Sequence, residues 1–74
     1  MSKESQNRQV LEYLKEHQKE GMTSLDAIRR FGITRLSGRI FDLREKGHVI
    51  GREMEKNSLN DGKHARYFLI KEAE

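Results

Sequence analysis

The stretch FGITRLSGRIFDLREKGHVI, residues 31–50, changes its hydrophobic spacing near its end and so fixes the type of fold. Leu36, Ile40 and Leu43 recur at helical intervals, which predicts a helix with one narrow apolar stripe. Gly47 follows in a position where helices commonly stop. Extended, strand-like residues come after it, so a helix here leads directly into a strand.

Thr34 is a good N-cap residue, and the helix is therefore expected over residues 34–46. Only Ile33 and Thr34 separate its first turn from Gly32, which would end a preceding helix. A connection this short makes two helices cross steeply, as in a helix-turn-helix.

Two further helices are predicted upstream. Val10, Leu11 and Leu14 lie on one face of an amphipathic helix over residues 5–19, with Gly21 as its stop.

The next helix is short. Thr23 and Asp26 have the form of a capping box. Leu25, Ile28 and Phe31 then recur at helical spacing until Gly32, which gives a helix of about two turns.

The chain after Gly47 predicts a β-hairpin. HVIGREMEK (residues 48–56) and ARYFLI (65–70) alternate like strands, and Asp61-Gly62 between them is a hairpin-turn signal. The expected inward positions are Ile50, Met54, Tyr67 and Leu69. Two strands alone are marginally stable, so this face must pack on the helices. The prediction is an α+β domain of three helices followed by a two-stranded antiparallel hairpin.

Composition limits the class of protein. The 74 residues, without proline or cysteine, suit one domain over residues 5–70 with loose termini at 1–4 and 71–74. The absence of thiols fits a reducing compartment, and we expect a cytoplasmic protein. Spanning a bilayer takes about 20 apolar residues, and no such run occurs, so no membrane partner is expected.

The net charge of +3 is concentrated in the middle of the chain. Residues 29–46 hold six basic and two acidic side chains, whereas the flanking segments are balanced or slightly acidic. A local positive field suits a phosphate backbone, although a solvated helix face has the same composition.

The order of elements and several local motifs resemble the small winged helix-turn-helix DNA-binding proteins of bacteria and bacteriophages. The resemblance rests on residues 31–50, on the Leu-Arg-Glu-Lys-Gly exit from the third helix, and on an Asn/Gly-rich loop followed by ARYFLI. It implies a winged helix fold, with double-stranded DNA as the partner. The role implied is that of a small transcriptional regulator or a phage-type excision or architectural factor. The turn at residues 32–34 is shorter than in larger winged helix regulators.

Exposed residues near the N-terminus of a helix in the major groove can read bases. We expect Arg35, Ser37 and Arg39 to occupy solvent positions and contact DNA, with Thr34 reaching a phosphate. The alternative is an ordinary polar face with a salt bridge between Arg39 and Asp42. Arg44 is included in the predicted contact surface.

Gly38 and Phe41 lie off the apolar stripe. A glycine inside a helix costs about 1 kcal/mol relative to alanine, so Gly38 either permits close approach to a groove wall or is merely tolerated at an exposed position. Phe41 is expected to pack under the strands, because aromatic side chains bury much area. If exposed, it would mark a partner surface.

The segment 57–66 is a candidate wing, rich in Asn, Gly and basic residues. Such a hairpin tip can follow the phosphate backbone or enter the minor groove. The predicted contacts are Asn57, Asn60, Lys63, His64 and Arg66. The alternative is an ordinary solvated hairpin.

No enzymatic constellation is recognised, so neither catalytic residues nor cofactors are predicted. His17, His48 and His64 fall on three different elements without metal-ligand spacing.

The rival to DNA binding is a winged helix that binds another protein, such as an antirepressor or adaptor. A lone small domain binds DNA weakly at physiological salt, so cooperative binding or a homodimer is also expected. The salt dependence of binding distinguishes the two hypotheses, because only the affinity for DNA should fall steeply with ionic strength.

Overall fold

The computed structural model describes residues 3–56 and 62–73. Its elements follow the predicted order, with one short strand added. They are α1 (Lys3–Glu16), β1 (Met22–Thr23), α2 (Ser24–Phe31), α3 (Leu36–Glu45), β2 (Val49–Lys56) and β3 (Lys63–Lys71). The three helices and the antiparallel β2–β3 hairpin confirm the winged helix architecture.

The sheet has three strands in the order β1-β3-β2, so the prediction of a two-stranded sheet was wrong by one strand. Met22 of β1 pairs with Tyr67 of β3, and the Met22 side chain is fully buried. A two-residue strand has no repeat from which alternation can be recognised. β1 covers the β3 edge that the hairpin alone would leave unpaired.

Gly21 makes the docking of β1 sterically acceptable. Its φ of 68° lies in the left-handed region, and a Cβ there would collide with the Tyr67 carbonyl oxygen and the Phe68 ring. The chain does change direction at Gly21, where a helix stop was predicted, but α1 itself ends earlier, at Glu16. The chain then passes through a turn in which the Gly21 N–H donates to the His17 carbonyl oxygen at 2.8 Å.

The terminal segments expected to be loose are partly in regular structure. Lys3 and Glu4 belong to α1, and Lys71 belongs to β3. The Ala73 N–H donates to His48 Nδ1 at 2.9 Å. This hydrogen bond places Ala73 against the residue that precedes β2.

The core lies between the three helices and the inner face of the sheet. Ile33, which the sequence placed only in the connection, is among its most buried side chains. The buried hydrophobic residues are Val10, Leu14, Met22, Ala27, Ile33, Leu36, Ile40, Leu43, Ile50, Tyr67 and Leu69.

The capping box of α2 is confirmed, and the buried face of this helix is formed by Ala27. Thr23 accepts from the Asp26 N–H, and Asp26 accepts from the Thr23 N–H. Leu25 and Ile28 are 54% and 47% exposed, whereas Ala27 is buried. Successive residues lie about 100° apart around a helix, so Leu25 and Ile28 point about 160° and about 100° away from the face that Ala27 occupies.

Met54 is 55% exposed, against the expectation that it faces the core. It pairs with Ala65 and lies on the same face as Ile50, which is buried. Met54 lies two pleat repeats beyond Ile50 toward the hairpin tip, on edge strand β2. The predicted turn at Asp61-Gly62 begins at a residue outside the described ones.

Over the described part of the chain, none of the helices combines the length and apolar character needed to cross a membrane.

Candidate nucleic-acid interface

The N-terminus of α3 is exposed and has no side-chain cap among the described residues. Arg35, not Thr34, occupies the N-cap position, with φ −125° and ψ 66°, so the prediction of Thr34 as N-cap was wrong. The helix starts one residue after Arg35 and leaves Thr34 in the connection. Because the first N–H groups of a helix lack intrahelical partners, an uncapped end can receive an anion.

A shallow depression of about 500 Å³ lies along this end of α3. Its exposed side chains Thr34, Arg35 and Ser37 are hydrogen-bond donors of the kinds that contact phosphates and base edges. The complete lining consists of Gln6, Thr34, Arg35, Ser37, Gly38, Arg39, Phe41 and Asp42. The structure therefore brings together most of the helix residues that the sequence singled out.

Arg39 also lines the depression, but unlike Thr34, Arg35 and Ser37 it is not exposed: only 12% of its side chain is accessible. Its Nη1 donates to Gln6 Oε1 at 3.1 Å, and its Nη2 lies 3.2 Å from Asp42 Oδ2. The same Asp42 oxygen accepts from Asn7 Nδ2 at 3.3 Å. The expectation of a solvent position was wrong, and the alternative salt bridge with Asp42 is confirmed. Arg39 fastens α3 to α1.

Two other arginines of the basic segment are engaged within the chain while remaining exposed. Arg44 Nη2 donates to the Ile50 carbonyl oxygen at 2.8 Å, at the start of β2. The Arg30 guanidinium lies 5.1 Å from the centroid of the Tyr13 ring. Their positive charges stay at the surface, although their orientation is partly fixed.

Phe41 is 61% exposed, so the expectation that it packs under the strands was wrong. It follows the buried Ile40 by one residue, which turns its side chain about 100° away from the core stripe. At Gly38, a Cβ would meet nothing within 4 Å among the described atoms. Packing inside the chain therefore does not require glycine at this position.

Near its wing end, the hairpin is held together by Glu55. Its Oε1 lies 2.9 Å from His64 Nε2 and accepts from Arg66 Nε at 3.0 Å. Arg66 Nη1 also donates to the Glu20 carbonyl oxygen at 2.9 Å. The hydrogen bond from Arg66 lowers the pKa of Glu55; desolvation opposes it, and the bond to His64 adds to it. His64 and Arg66 thus take part in shaping the wing.

The described end of the hairpin is positively charged. Lys56 pairs directly with Lys63, and both side chains are exposed. Like charges placed opposite each other destabilise a sheet. An anionic neighbour would therefore stabilise this end of the hairpin by reducing the repulsion between the two lysines. The predicted contacts Asn57 and Asn60 lie outside the described residues.

The sequence missed Gln6 and Asn7, the α1 residues that hold the Arg39–Asp42 pair. Asn7 is buried, but a single amide in a polar helix carries no signal of its partner 35 positions away. Within the described residues, no group of three or more His, Asp or Glu side chains is placed to hold a metal ion.

A family model described as a winged helix-turn-helix domain matches residues 5–72. The chain therefore belongs to the winged helix-turn-helix domain family, in agreement with its fold. This membership indicates DNA binding in general and is typical of a domain without catalytic activity. Comparisons with curated proteins and with solved structures gave no match.

Proposed function

We propose that this protein binds double-stranded DNA with α3 in the major groove and the β2–β3 hairpin as a wing. The observation that carries the proposal is the exposed, uncapped N-terminus of α3, which presents Thr34, Arg35 and Ser37 together. This end of a recognition helix is the one that contacts base edges. It also directs a partial positive charge at a neighbouring phosphate.

The side chains of this surface have different proposed roles. Arg35 donates to a base edge or a phosphate, Ser37 to a base edge, and Thr34 to a phosphate. Gly38 permits the helix backbone to come close to the groove wall. Arg44, fixed by its bond to the Ile50 carbonyl oxygen, supplies a phosphate contact further along the helix.

The wing supplies a second contact. Lys56 and Lys63 lie opposite each other, where a phosphate backbone relieves their mutual repulsion. Asn57 and Asn60, in the segment between them, are proposed to continue this contact along the backbone or into the minor groove. His64 and Arg66 join the two strands beside this lysine pair through Glu55.

Within DNA binding, we favour a small transcriptional regulator or a phage-type excision or architectural factor. A few phosphate contacts give weak binding at physiological salt, so such a domain works best cooperatively or as a homodimer on adjacent sites. The exposed Leu25 and Ile28 on α2 favour a contact with a second copy or with another protein.

Fluorescence anisotropy with a labelled mixed-sequence duplex tests the proposal. If Arg35, Arg44, Lys56 and Lys63 neutralise phosphates, raising salt from about 50 to about 200 mM should weaken binding about 100-fold. Arg35→Ala should weaken binding at low salt about tenfold or more, in the range for loss of a specific contact. Lys71→Ala, at the opposite end of β3 from the wing tip, should have little effect. Absence of binding at low salt would refute the proposal.

A further inference from the structure

The exposed aromatic ring of Phe41 lies within a polar surface. Of the exposed large hydrophobic residues within 3–56 and 62–73, Phe41 alone lines the depression at the N-terminal half of α3. Leu25 and Ile28 are on α2, and the others are on the strands. An aromatic contact with another protein usually lies within an apolar cluster, which is not found around Phe41 in the described structure.

Phe41 and Gly38 together form a slot on the solvent side of α3. Phe41 lies one helical turn after Gly38, and side chains on a helix lean toward its N-terminus. The ring therefore extends toward the glycine, and both residues line the same depression. Since a Cβ at Gly38 would meet only open space, the floor of this slot is left empty by the chain itself.

Hydrogen-bond donors stand beside this apolar slot. Thr34, Arg35 and Ser37 line the same depression and are exposed. In the major groove, thymine presents its C5 methyl group beside the O4 acceptor, and an aromatic side chain can contact that methyl group.

We propose that Phe41 and Gly38 form a reading slot for the C5 methyl group of thymine. This inference rests on the proposed function, because it requires α3 to enter the major groove. Phe41 is then a specificity-determining residue, and the neighbouring donors Arg35 and Ser37 fix the register of the ring against the base pair.

The test uses deoxyuridine, which pairs as thymine does but lacks the C5 methyl group. A preferred site is first selected by the full chain from a randomised duplex. Each thymine of that site is then replaced in turn by deoxyuridine. Anisotropy titrations compare the wild type with Phe41→Ala and with Phe41→Leu, and thermal melts confirm that the exposed substitutions leave the domain folded.

At one thymine, the wild type should bind the deoxyuridine duplex about fourfold more weakly, the value expected for one buried methyl group. Phe41→Ala should bind both duplexes equally, and Phe41→Leu should retain part of the preference. Equal binding by the wild type at every position would overturn the inference, as would a thymine preference that persists in Phe41→Ala. If no duplex is bound at low salt, the proposed function itself fails, and this result is distinct from binding without methyl discrimination.

Discussion

Arg39 illustrates how one side chain can resemble a DNA contact and yet serve the fold. Its guanidinium joins Gln6 of α1 to Asp42 of α3, and its Nε is buried with no hydrogen-bond partner among the described residues. An arginine available to DNA would have its donors in solvent. We assign to Arg39 the role of setting the angle between α1 and α3.

Arg39→Met should therefore destabilise the domain. The substitution keeps most of the apolar stem and removes the ion pair and the bond to Gln6, at a cost of about 1–2 kcal/mol. Urea denaturation measures the change. Arg29→Met, at an exposed position of α2, is the matched control and should stay within about 0.5 kcal/mol of the wild type. Unchanged stability together with lost DNA affinity would show that Arg39 is a contact residue.

For individual residues, the sequence predicted burial correctly where it depends on one helix alone. The buried stripe of Leu36, Ile40 and Leu43 follows from helical periodicity alone. The burial of Arg39 did not follow, because its partner Gln6 is 33 positions away in the chain. The exposure of Phe41 depends on where the strands lie relative to α3, which no local pattern contains.

The hairpin is the element whose charge is best matched to a polyanion. Lys63 lies at the wing end of β3 and Lys71 at the other end, about 26 Å away at the rise of a strand. Both are lysines of the same strand, and both side chains are exposed. They differ mainly in position, which makes them a matched pair.

Lys63→Ala should weaken duplex binding by about two- to fivefold at low salt. It should also reduce the slope of log affinity against log salt by about 0.9, the value for one lost phosphate contact. Lys71→Ala should change neither quantity. Titrations at three or more salt concentrations measure both slopes, and equal effects of the two variants would contradict a role of the wing in DNA binding.

The Glu55 cluster should make the hairpin sensitive to acid. Hydrogen bonds from Arg66 and His64 hold the pKa of Glu55 below its ordinary value of 4.5 in the folded state. Its contribution to stability is thus fully present above pH 4.5 and is lost as the pH falls through the lowered pKa.

Glu55→Gln removes the charge that this effect requires. The melting temperature of the wild type should fall more steeply between about pH 5 and about pH 3 than that of the variant. Glu53→Gln, which neutralises an exposed carboxylate on the same strand, serves as control and should retain the wild-type steepness. Parallel curves for wild type and Glu55→Gln would exclude the linkage.

Among the elements, the hairpin and the three helices were predictable because each has its own periodic pattern or cap. β1 was not, because it consists of two residues and forms only when Gly21 allows the chain to pass against β3. The spacing of Leu25, Ile28 and Phe31 did not reveal the buried face of α2 for a related reason. In eight residues, the small Ala27 determines the buried face and the larger Leu25 and Ile28 remain outside.

For the stability of the whole molecule, alanine substitutions at Gly21 and at Gly38 are expected to have opposite effects. Gly21 has a left-handed φ and no room for a Cβ, whereas Gly38 is helical and faces open space. A left-handed conformation costs a residue with a Cβ about 1–2 kcal/mol. Alanine inside a helix is favoured over glycine by about 1 kcal/mol.

Gly21→Ala should lower the melting temperature by at least about 4–8 °C, because each 1 kcal/mol shifts a domain of this size by that amount. Gly38→Ala should raise the melting temperature and weaken duplex binding, since its methyl group occupies the surface that approaches the groove. Thermal melts and anisotropy measure the two effects. A Gly38→Ala variant that is more stable and binds DNA normally would show that no close approach occurs there.

The central claim is that one face of this domain, made by the start of α3 and the wing, binds DNA electrostatically. The most direct measurement is an NMR titration of the isotope-labelled protein with a mixed-sequence duplex at low salt, repeated at high salt. We predict shifts concentrated at residues 34–44 and 56–66 that disappear when salt is added. Unchanged spectra at low salt, or salt-independent shifts centred on Leu25 and Ile28, would contradict the account.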